Sequence, residues 1–410
     1  MDTSAAAVGP PVLRSRPLGA LLAAEVLSTT GSQMTWLALP WFVLVNTGSA
    51  KQMAFVVAAE AGGYALFGIP SGSVLDRLGA QRTMRLCDAV RAPLMLLVPL
   101  LHWSGHLTLP LLAVIAFVLG TAGTPYMAAQ RVVVADILDE DEASVQRANA
   151  LLQGATRITM LCGPALGGVL IAAVGSPVVL IIDAASYVVA FVLVTLLVPV
   201  VRPSRKEDGS DGQGILAGVR YLFRDSLMRG WAAALVVGDA SFSVLFVSIP
   251  VLVYVHYGAN PRLAGVFLAC WGIGAVAGNV VAYRSDRVGG LGQAAPLVLA
   301  QALPLWAVAA PVPAAVVAAS LALSGLANGL INPTLHSMLT LRPPAAVRAK
   351  ALTAMSTASS LGTPIAVAVA APAFAAFGSR HVIAAAAAGQ LAAMSYAGFV
   401  TVRHLARERA

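Results

Sequence analysis

Charge is what this 410-residue chain has least of: Asp, Glu, Lys and Arg make up 11% of it, against 58% hydrophobic residues and a mean hydropathy of +0.81. A soluble domain carries roughly 25% charged residues. So few charges cannot cover a water-facing surface, and the expected solvent is a lipid bilayer. Cysteine is scarce too. Cys87, Cys162 and Cys270 fall inside apolar segments with no CxxC spacing, so neither a disulfide framework nor a zinc site is indicated. The chain lacks a GxxxxGK(S/T) phosphate loop, which excludes an ATP-driven pump domain. HExxH and a strand–turn–helix GxSxG are also missing. No enzyme activity, cofactor or metal is expected.

What is present is apolar sequence in long runs. A spanning helix needs roughly 20 apolar residues, and twelve windows qualify: 18–45, 51–71, 84–103, 108–129, 150–174, 178–200, 230–256, 262–283, 294–310, 313–338, 351–376 and 381–402. The fold class expected is an all-α membrane protein of twelve transmembrane helices in two pseudo-symmetric six-helix halves. Residues 1–17 form a polar N-terminal tail, 18–200 the first half, 201–229 a linker, 230–402 the second half and 403–410 a C-terminal tail. The linker centre, Lys206 to Gly214, is charged and glycine-rich, a flexible composition. Apolar residues return at helical spacing from Ile215 to Met228, which predicts a short amphipathic helix on the membrane surface.

The net charge of +8 would suggest nucleic acid in a soluble protein. The positions decide otherwise. Of the 26 lysines and arginines, Lys51, Arg262 and Arg380 fall on one side of the predicted membrane, Arg91 and Arg157 lie within spans, and all others fall on the opposite side. Cytoplasmic loops carry the basic excess. Both termini are therefore expected in the cytoplasm of a multi-pass plasma-membrane protein, and no nucleic-acid partner is expected.

One short stretch organises the rest: Gly72-Ser-Val-Leu-Asp76-Arg77-Leu-Gly79-Ala-Gln-Arg82, wedged between two apolar segments. A weaker copy follows at Asp286-Arg287-Val-Gly289. A shift of 210 positions superposes Gly62 on Gly272, Gly68 on Gly278, Asp76 on Asp286, Arg77 on Arg287 and Gly79 on Gly289, which argues for a duplicated half-molecule.

These residues resemble the major facilitator superfamily. The 72–82 stretch is similar to its signature between spans two and three, with Val74 in place of the usual leucine and Ala80-Gln81 in place of the first basic pair. Gly163-Pro164-Ala-Leu-Gly167-Gly168 resembles the motif of its antiporter branch, with Thr159 where a glycine is expected. Ala24-Glu-Val-Leu-Ser28, Tyr64-Ala-Leu-Phe-Gly68, Asp76-Arg77, Asp88 and Ile182-Asp183 follow the order seen in macrolide- and siderophore-efflux permeases. The resemblance implies a conformational latch at Gly72, Asp76, Arg77, Gly79, Arg82, Asp286 and Arg287. It further implies that spans five and eight meet across the halves, so that Gly163, Pro164, Gly167, Gly168, Gly272, Gly274 and Gly278 form a sliding seam; plain helix packing through small-xxx-small spacing is the alternative. A cavity lined by spans one, four, seven and ten would use Gln33, Trp36, Tyr126, Gln130, Phe242, Phe246, Asn328 and Asn332, with His336 nearer the solvent; each could equally be a packing residue.

A charge at mid-bilayer is costly unless paired or functional. Asp88 and Arg91 are three apart on one helical face and read as a structural pair. Asp183 reads as a group that caps or hydrogen-bonds near the outer interface, and Arg157 is matched with Glu25 by depth. Glu25, Glu60 and Asp239 remain, and one or two of them are expected to carry a coupling proton; a protonated carboxylate hydrogen-bonded in the bundle is the alternative. The expected function is proton-coupled export of a drug-like or natural-product molecule. A facilitator-type importer of a small metabolite and a non-transporting membrane receptor or scaffold share the same fold-level features. Expected partners are a small-molecule substrate, protons and the bilayer, with nothing that demands more than a monomer.

Overall fold

The computed structural model describes residues 16–67, 70–138, 142–198, 214–284 and 293–409, and all regular structure among them is helical. In chain order the elements are α1 (Arg16–Thr47), α2 (Ala50–Phe67), α3 (Pro70–Leu78), α4 (Ala80–Trp103), α5 (Leu109–Ile137), α6 (Glu142–Val174) and α7 (Ser176–Leu197). Next in the chain come α8 (Gly214–Arg224), α9 (Ser226–His256), α10 (Pro261–Arg284), α11 (Ala294–Ala302), a 3-10 turn (Leu303–Leu305), α12 (Trp306–Ala309), α13 (Ala314–Leu341) and α14 (Ala345–Arg409). Among the described residues, seven helical stretches are both long and apolar enough to cross a membrane: 109–134, 154–174, 176–197, 226–256, 261–284, 314–335 and 357–407. The last is broken at Gly378 (φ 76, ψ 166). Helices α1 and α4 have the length but carry charged and hydroxyl side chains through their middles.

Several boundaries differ from the sequence reading. The stretch from Pro70 to Leu78 is a short helix rather than a loop, and the turn falls at Gly79, whose φ of 79 a side chain would resist. Helix α6 begins at Glu142, eight positions before the expected 150. The predicted surface helix stops at Arg224, because Asp225 caps the next helix: its carboxylate accepts from the backbone N–H groups of Leu227 (2.9 Å) and Met228 (3.0 Å). The window 294–310 is interrupted at Leu303–Leu305, where Pro304 removes a backbone donor.

Three buried apolar clusters hold the bundle together. The largest joins α1, α2, α4, α5, α6, α7, α9, α10, α12, α13 and α14 through residues such as Trp41, Phe42, Met53, Val98, Ile171, Leu245, Phe267, Val308, Leu321 and Phe374. A second joins only α1, α4, α5, α6 and α7, through Leu18, Leu21, Met84, Val134 and Val194. The third joins only α8, α9, α11, α13 and α14, through Leu222, Leu227, Trp231, Val298 and Met355. Among the described residues the last two share no element. Their residues lie at the helix ends that bear Arg16, Arg82, Arg229 and Arg342, so among the described residues the core is divided at the arginine-rich end and continuous at the other.

Helices α2 and α5 approach to backbone contact at Gly63 and Gly120, where an added Cβ would overlap the carbonyls of Phe117 and Glu60. Helices α10 and α13 use the same device at Gly274, Gly278, Gly325 and Gly329. Glycine lets helices pack this closely with no lipid between them.

Candidate functional site

Several of the polar groups predicted within the membrane, Glu25, Asp88, Arg91 and Asp183, are buried in the bundle interior. Glu25 on α1 is buried and accepts three hydrogen bonds: from Thr29 Oγ1 (2.8 Å), from Gln130 Nε2 on α5 (2.5 Å) and from Thr156 Oγ1 on α6 (3.3 Å). The structure thus brings together a predicted proton site and a predicted cavity residue. It does not bring in Arg157, which is exposed beside Thr156. The expected Arg157–Glu25 pairing is corrected by one residue: the hydroxyl, not the guanidinium, faces α1.

Asp88 and Arg91 form the expected ion pair, Oδ1 to Nη2 at 2.7 Å, with both side chains almost fully buried. The guanidinium is stacked between two aromatic rings, 4.3 Å from the centroid of Tyr126 on α5 and 4.6 Å from that of Tyr187 on α7. This places Tyr126 in the packing of a charge pair, not on an open cavity wall; it is 4% exposed. Of the two roles read for Asp183, hydrogen bonding is seen and capping is not. The residue is fully buried, accepting from Thr35 Oγ1 on α1 (2.6 Å) and from Ser186 Oγ (3.3 Å). Gly31 makes room for it, since a Cβ there would collide with the Asp183 carboxylate. Tyr187 hydroxyl and Ser32 Oγ, 2.9 Å apart, complete the tie between α1 and α7.

Glu60 is half-buried on α2 and lines a crevice of about 20 Å³ with Trp36, Pro40, Phe246 and Leu268. A void of that size holds about one water. Trp36 and Phe246 meet here from α1 and α9, ring centroids 6.2 Å apart. Phe246 stacks on Phe242 (4.2 Å), and both pack on Trp271 of α10 at 5.2 and 5.1 Å. Sequence reasoning missed Trp271, because a lone tryptophan beside Gly272 looks the same whether it faces lipid or the bundle interior. Its buried indole N–H has no hydrogen-bond partner among the described residues.

Asp239 on α9 is exposed in the isolated chain, and Ser359 of α14 donates to its carboxylate. Ser243 Oγ donates to the Asp239 carbonyl (2.7 Å) and lies 3.1 Å from Thr363 Oγ1, so a polar line runs between α9 and α14. Asn328 and Asn332 are half-buried one turn apart on α13, with Asn332 Nδ2 donating to Asn328 Oδ1 at 3.0 Å. The His336 side chain lies outside the described residues.

The predicted seam divides. Gly168 faces α10: a Cβ on it would lie 2.6 Å from the Pro261 carbonyl, and a Cβ on Gly265 would lie 2.6 Å from that of Pro164. Gly272 faces Leu161 of α6. Gly163 and Gly167 instead receive Gln33 and Met34 of α1, and Gly274 and Gly278 receive α13. Gly265 was not anticipated; it belongs to no motif and shows itself only through the partner backbone.

In the latch stretch, Arg77 and Arg82 are exposed and Gly79 forms the turn. The Asp76 side chain, Asp286 and Arg287 lie outside the described residues, as does the side-chain environment of Gly72. Gln81, noted in the sequence only as a departure from a basic pair, is 4% exposed, and its Nε2 donates to the carbonyls of Val194 (3.1 Å) and Val198 (2.5 Å). It satisfies the last carbonyls of α7, which have no intrahelical partner.

A helical bundle with apolar spans, carboxylates buried along its interior and a core divided at one end has the architecture of a polytopic membrane transporter. The family model described as Major Facilitator Superfamily matches residues 21–367, and the chain belongs to that family. The chain is 24% identical over 373 residues to the multidrug efflux pump Tap of Mycobacterium tuberculosis (strain ATCC 25618 / H37Rv), covering 87% of this chain and 86% of that one. Among solved structures, a mutant of the nucleoside transporter NupG superposes with a TM-score of 0.75 at 12% identity, covering 94% of this chain and 99% of that one. A bacterial homolog to the human lysosomal transporter Spinster, inward-facing and unoccupied, gives 0.68 at 14% identity over 96% and 98%. At these identities the structural likeness shows the fold.

Proposed function

We propose that the chain is a secondary active transporter that works by alternating access and exports a drug-like or natural-product molecule in exchange for protons. The divided core carries this reading. One apolar cluster spans the bundle at one end, while two clusters without a common element among the described residues hold the arginine-rich end. Two bodies of six helices each, 18–200 and 230–402, rocking about a central site would present this pattern in one of their two states. On the positive-inside reading the divided end is cytoplasmic, which is the side from which an exporter loads. The likeness to Tap supports the substrate class.

Each group has a role within this mechanism. The substrate would rest on Trp36, Phe242, Phe246 and Trp271, a mainly aromatic wall with one free indole donor, as suits a bulky and partly apolar ligand. Glu60 at the edge of this wall, Glu25 with Gln130, and Asp239 with Ser359 are the proton-coupling candidates. Protonation of a carboxylate that faces the divided end favours the charge-free closure of that end. The latch residues Asp76, Arg77 and Arg82 would hold one state by pairing with a facing helix end, where the dipole favours negative charge.

Cells expressing the protein would be loaded with a panel of dyes and antibiotics, with and without a protonophore. Lower accumulation that the protonophore abolishes is the expected result. Higher accumulation of a compound would overturn the direction of transport, and a protonophore-insensitive decrease would overturn the coupling.

A further inference from the structure

The end of the molecule opposite the arginine-rich one contains no carboxylate. No Asp or Glu occurs in 40–59, 89–135, 143–182, 240–285 or 287–407, the stretches that contain the α1–α2, α4–α5, α6–α7, α9–α10 and α12–α13 turns and the break at Gly378. The same end carries Lys51, Arg262 and Arg380 and four of the six histidines, His102, His106, His256 and His381. This is a surface of one sign with no internal counter-charge.

Its cations converge. A depression of about 520 Å³ is lined by Lys51 at the start of α2, His256 at the end of α9, and Arg380 and His381 just past the Gly378 break. Two helix starts, at Ala50 and after Gly378, border the same space, and each adds a partial positive charge. Lys51 and Arg380 are exposed and form no ion pair among the described residues. His381 Nδ1 lies 2.7 Å from the Phe377 carbonyl, so that nitrogen holds its hydrogen there and the other ring nitrogen faces away. Ser379 Oγ lies 3.4 Å from His256 Nε2 and ties α14 to α9. Apart from Ser49, the rest of the lining is apolar or glycine, with Val251, Val255, Phe374 and Phe377 its large side chains.

Cations at the rim and an apolar wall below them, at helix ends that would lie at headgroup level, select an amphiphilic anion. We propose that this depression binds the phosphodiester headgroup of an anionic phospholipid, with an acyl chain along Phe374 and Phe377. The inference rests on the membrane reading of the fold but not on any transported substrate. Because the lining comes from α2, α9 and α14, a bound phosphate neutralises like charges held at the end where the core is continuous. A ligand that binds this arrangement more tightly than its alternative shifts the population toward it.

The full chain, purified and offered equal amounts of phosphatidylglycerol and phosphatidylcholine, would be examined by native mass spectrometry. Wild type is expected to retain phosphatidylglycerol with a preference of about thirtyfold, the yield of two cations at an anionic surface. Lys51→Gln/Arg380→Gln should lose the preference, and Lys51→Arg/Arg380→Lys, which keeps both charges, should retain it. Arg262→Gln removes a cation outside the depression and should leave the preference intact. Retention by the Lys51→Gln/Arg380→Gln variant overturns the site, and equal loss in Arg262→Gln reduces it to general surface charge. Displacement of the lipid by millimolar inorganic phosphate or glycerol phosphate would assign the site to a free phosphate instead. Failure of the efflux experiment would leave this binding result unaffected, so the two readings fail separately.

Discussion

Asp88 accepts a hydrogen bond from Arg91 at 2.7 Å inside the apolar core, and the Arg91 guanidinium is held face-on between Tyr126 and Tyr187. Breaking a buried pair by removing one partner is costly, about 3–5 kcal/mol, because the remaining charge is left uncompensated. Asp88→Asn is expected to lower the free energy of unfolding in detergent by that order. Asp88→Leu/Arg91→Met, which removes both charges, should be less destabilised than either single change. Equal or greater loss in the double variant would show that the pair is not the unit of stability.

Glu25→Gln separates structure from coupling. The amide oxygen can still accept from Thr29 and Thr156, and Gln130 can turn its own amide to offer an oxygen to the new N–H group. The cost should be about 1 kcal/mol. Under the proposed mechanism, proton-driven efflux falls at least several-fold if Glu25 carries the proton. Parallel Glu60→Gln and Asp239→Asn variants assign the role, and full activity in all three would remove these carboxylates from the coupling.

Asp225 sets an acid limit on the arginine-rich end. Burial raises its carboxyl, but the Met228 N–H, the Arg342 guanidinium (Nε to Oδ2, 2.9 Å) and the Leu227 N–H more than offset this and hold it below the ordinary aspartate value. A depressed value means stability present above the unfolded-state value and lost as pH falls through the folded one. The unfolding temperature of wild type should therefore drop on acidification below the ordinary aspartate range, and that of Asp225→Asn less steeply. Asp225→Ala, which also loses the helix cap, should cost about 1 kcal/mol at neutral pH. Identical pH slopes for wild type and Asp225→Asn would exclude this carboxylate as the source.

Gly168→Val tests the contact between α6 and α10. The new Cβ would sit 2.6 Å from the Pro261 carbonyl, and backbone cannot yield as a flexible side chain can. An overpacking cost of about 1–3 kcal/mol is expected, together with loss of efflux in protein that still inserts and folds. Gly154→Ala, with open space around it, should be silent in both measurements.

Phe246→Ala opens the aromatic wall from the side of α9. Removing a ring stacked at 4.2 Å on Phe242 and at 5.2 Å on Trp271 should weaken transport of apolar dyes more than that of polar ones. A uniform loss across the panel would mark Phe246 as packing only.

Composition and the length of apolar runs made the membrane class and the helical fold legible, because both follow from the solvent alone. The Asp88–Arg91 pair was legible for a local reason: three residues on one helix are neighbours whatever the tertiary fold. Glu25 with Gln130, Asp183 with Thr35, and the aromatic wall were not, since helical periodicity gives the face of a residue but not the helix opposite. The glycines show the same limit. Spacing of four marks Gly163 and Gly167 as a packing face, yet it cannot say that Gln33 and Met34 fill that face while Gly168, one residue on, meets α10. Gln81 failed differently: in a motif defined by charge, a neutral amide looked like a loss, and only the carbonyls of α7 show what it supplies.

Among the described turns, Gly48, Gly105, Gly175, Gly258 and Gly378 all take positive φ at the end with the continuous core. Each reverses the chain in a handful of residues or fewer. Outside the cell, on the proposed orientation, such a surface offers no peptide long enough to enter a protease cleft or to be grasped by an antibody as a linear epitope. Reagents raised against the native protein would have to recognise a shallow mosaic of helix ends, and epitope tags inserted there would have to bring their own slack.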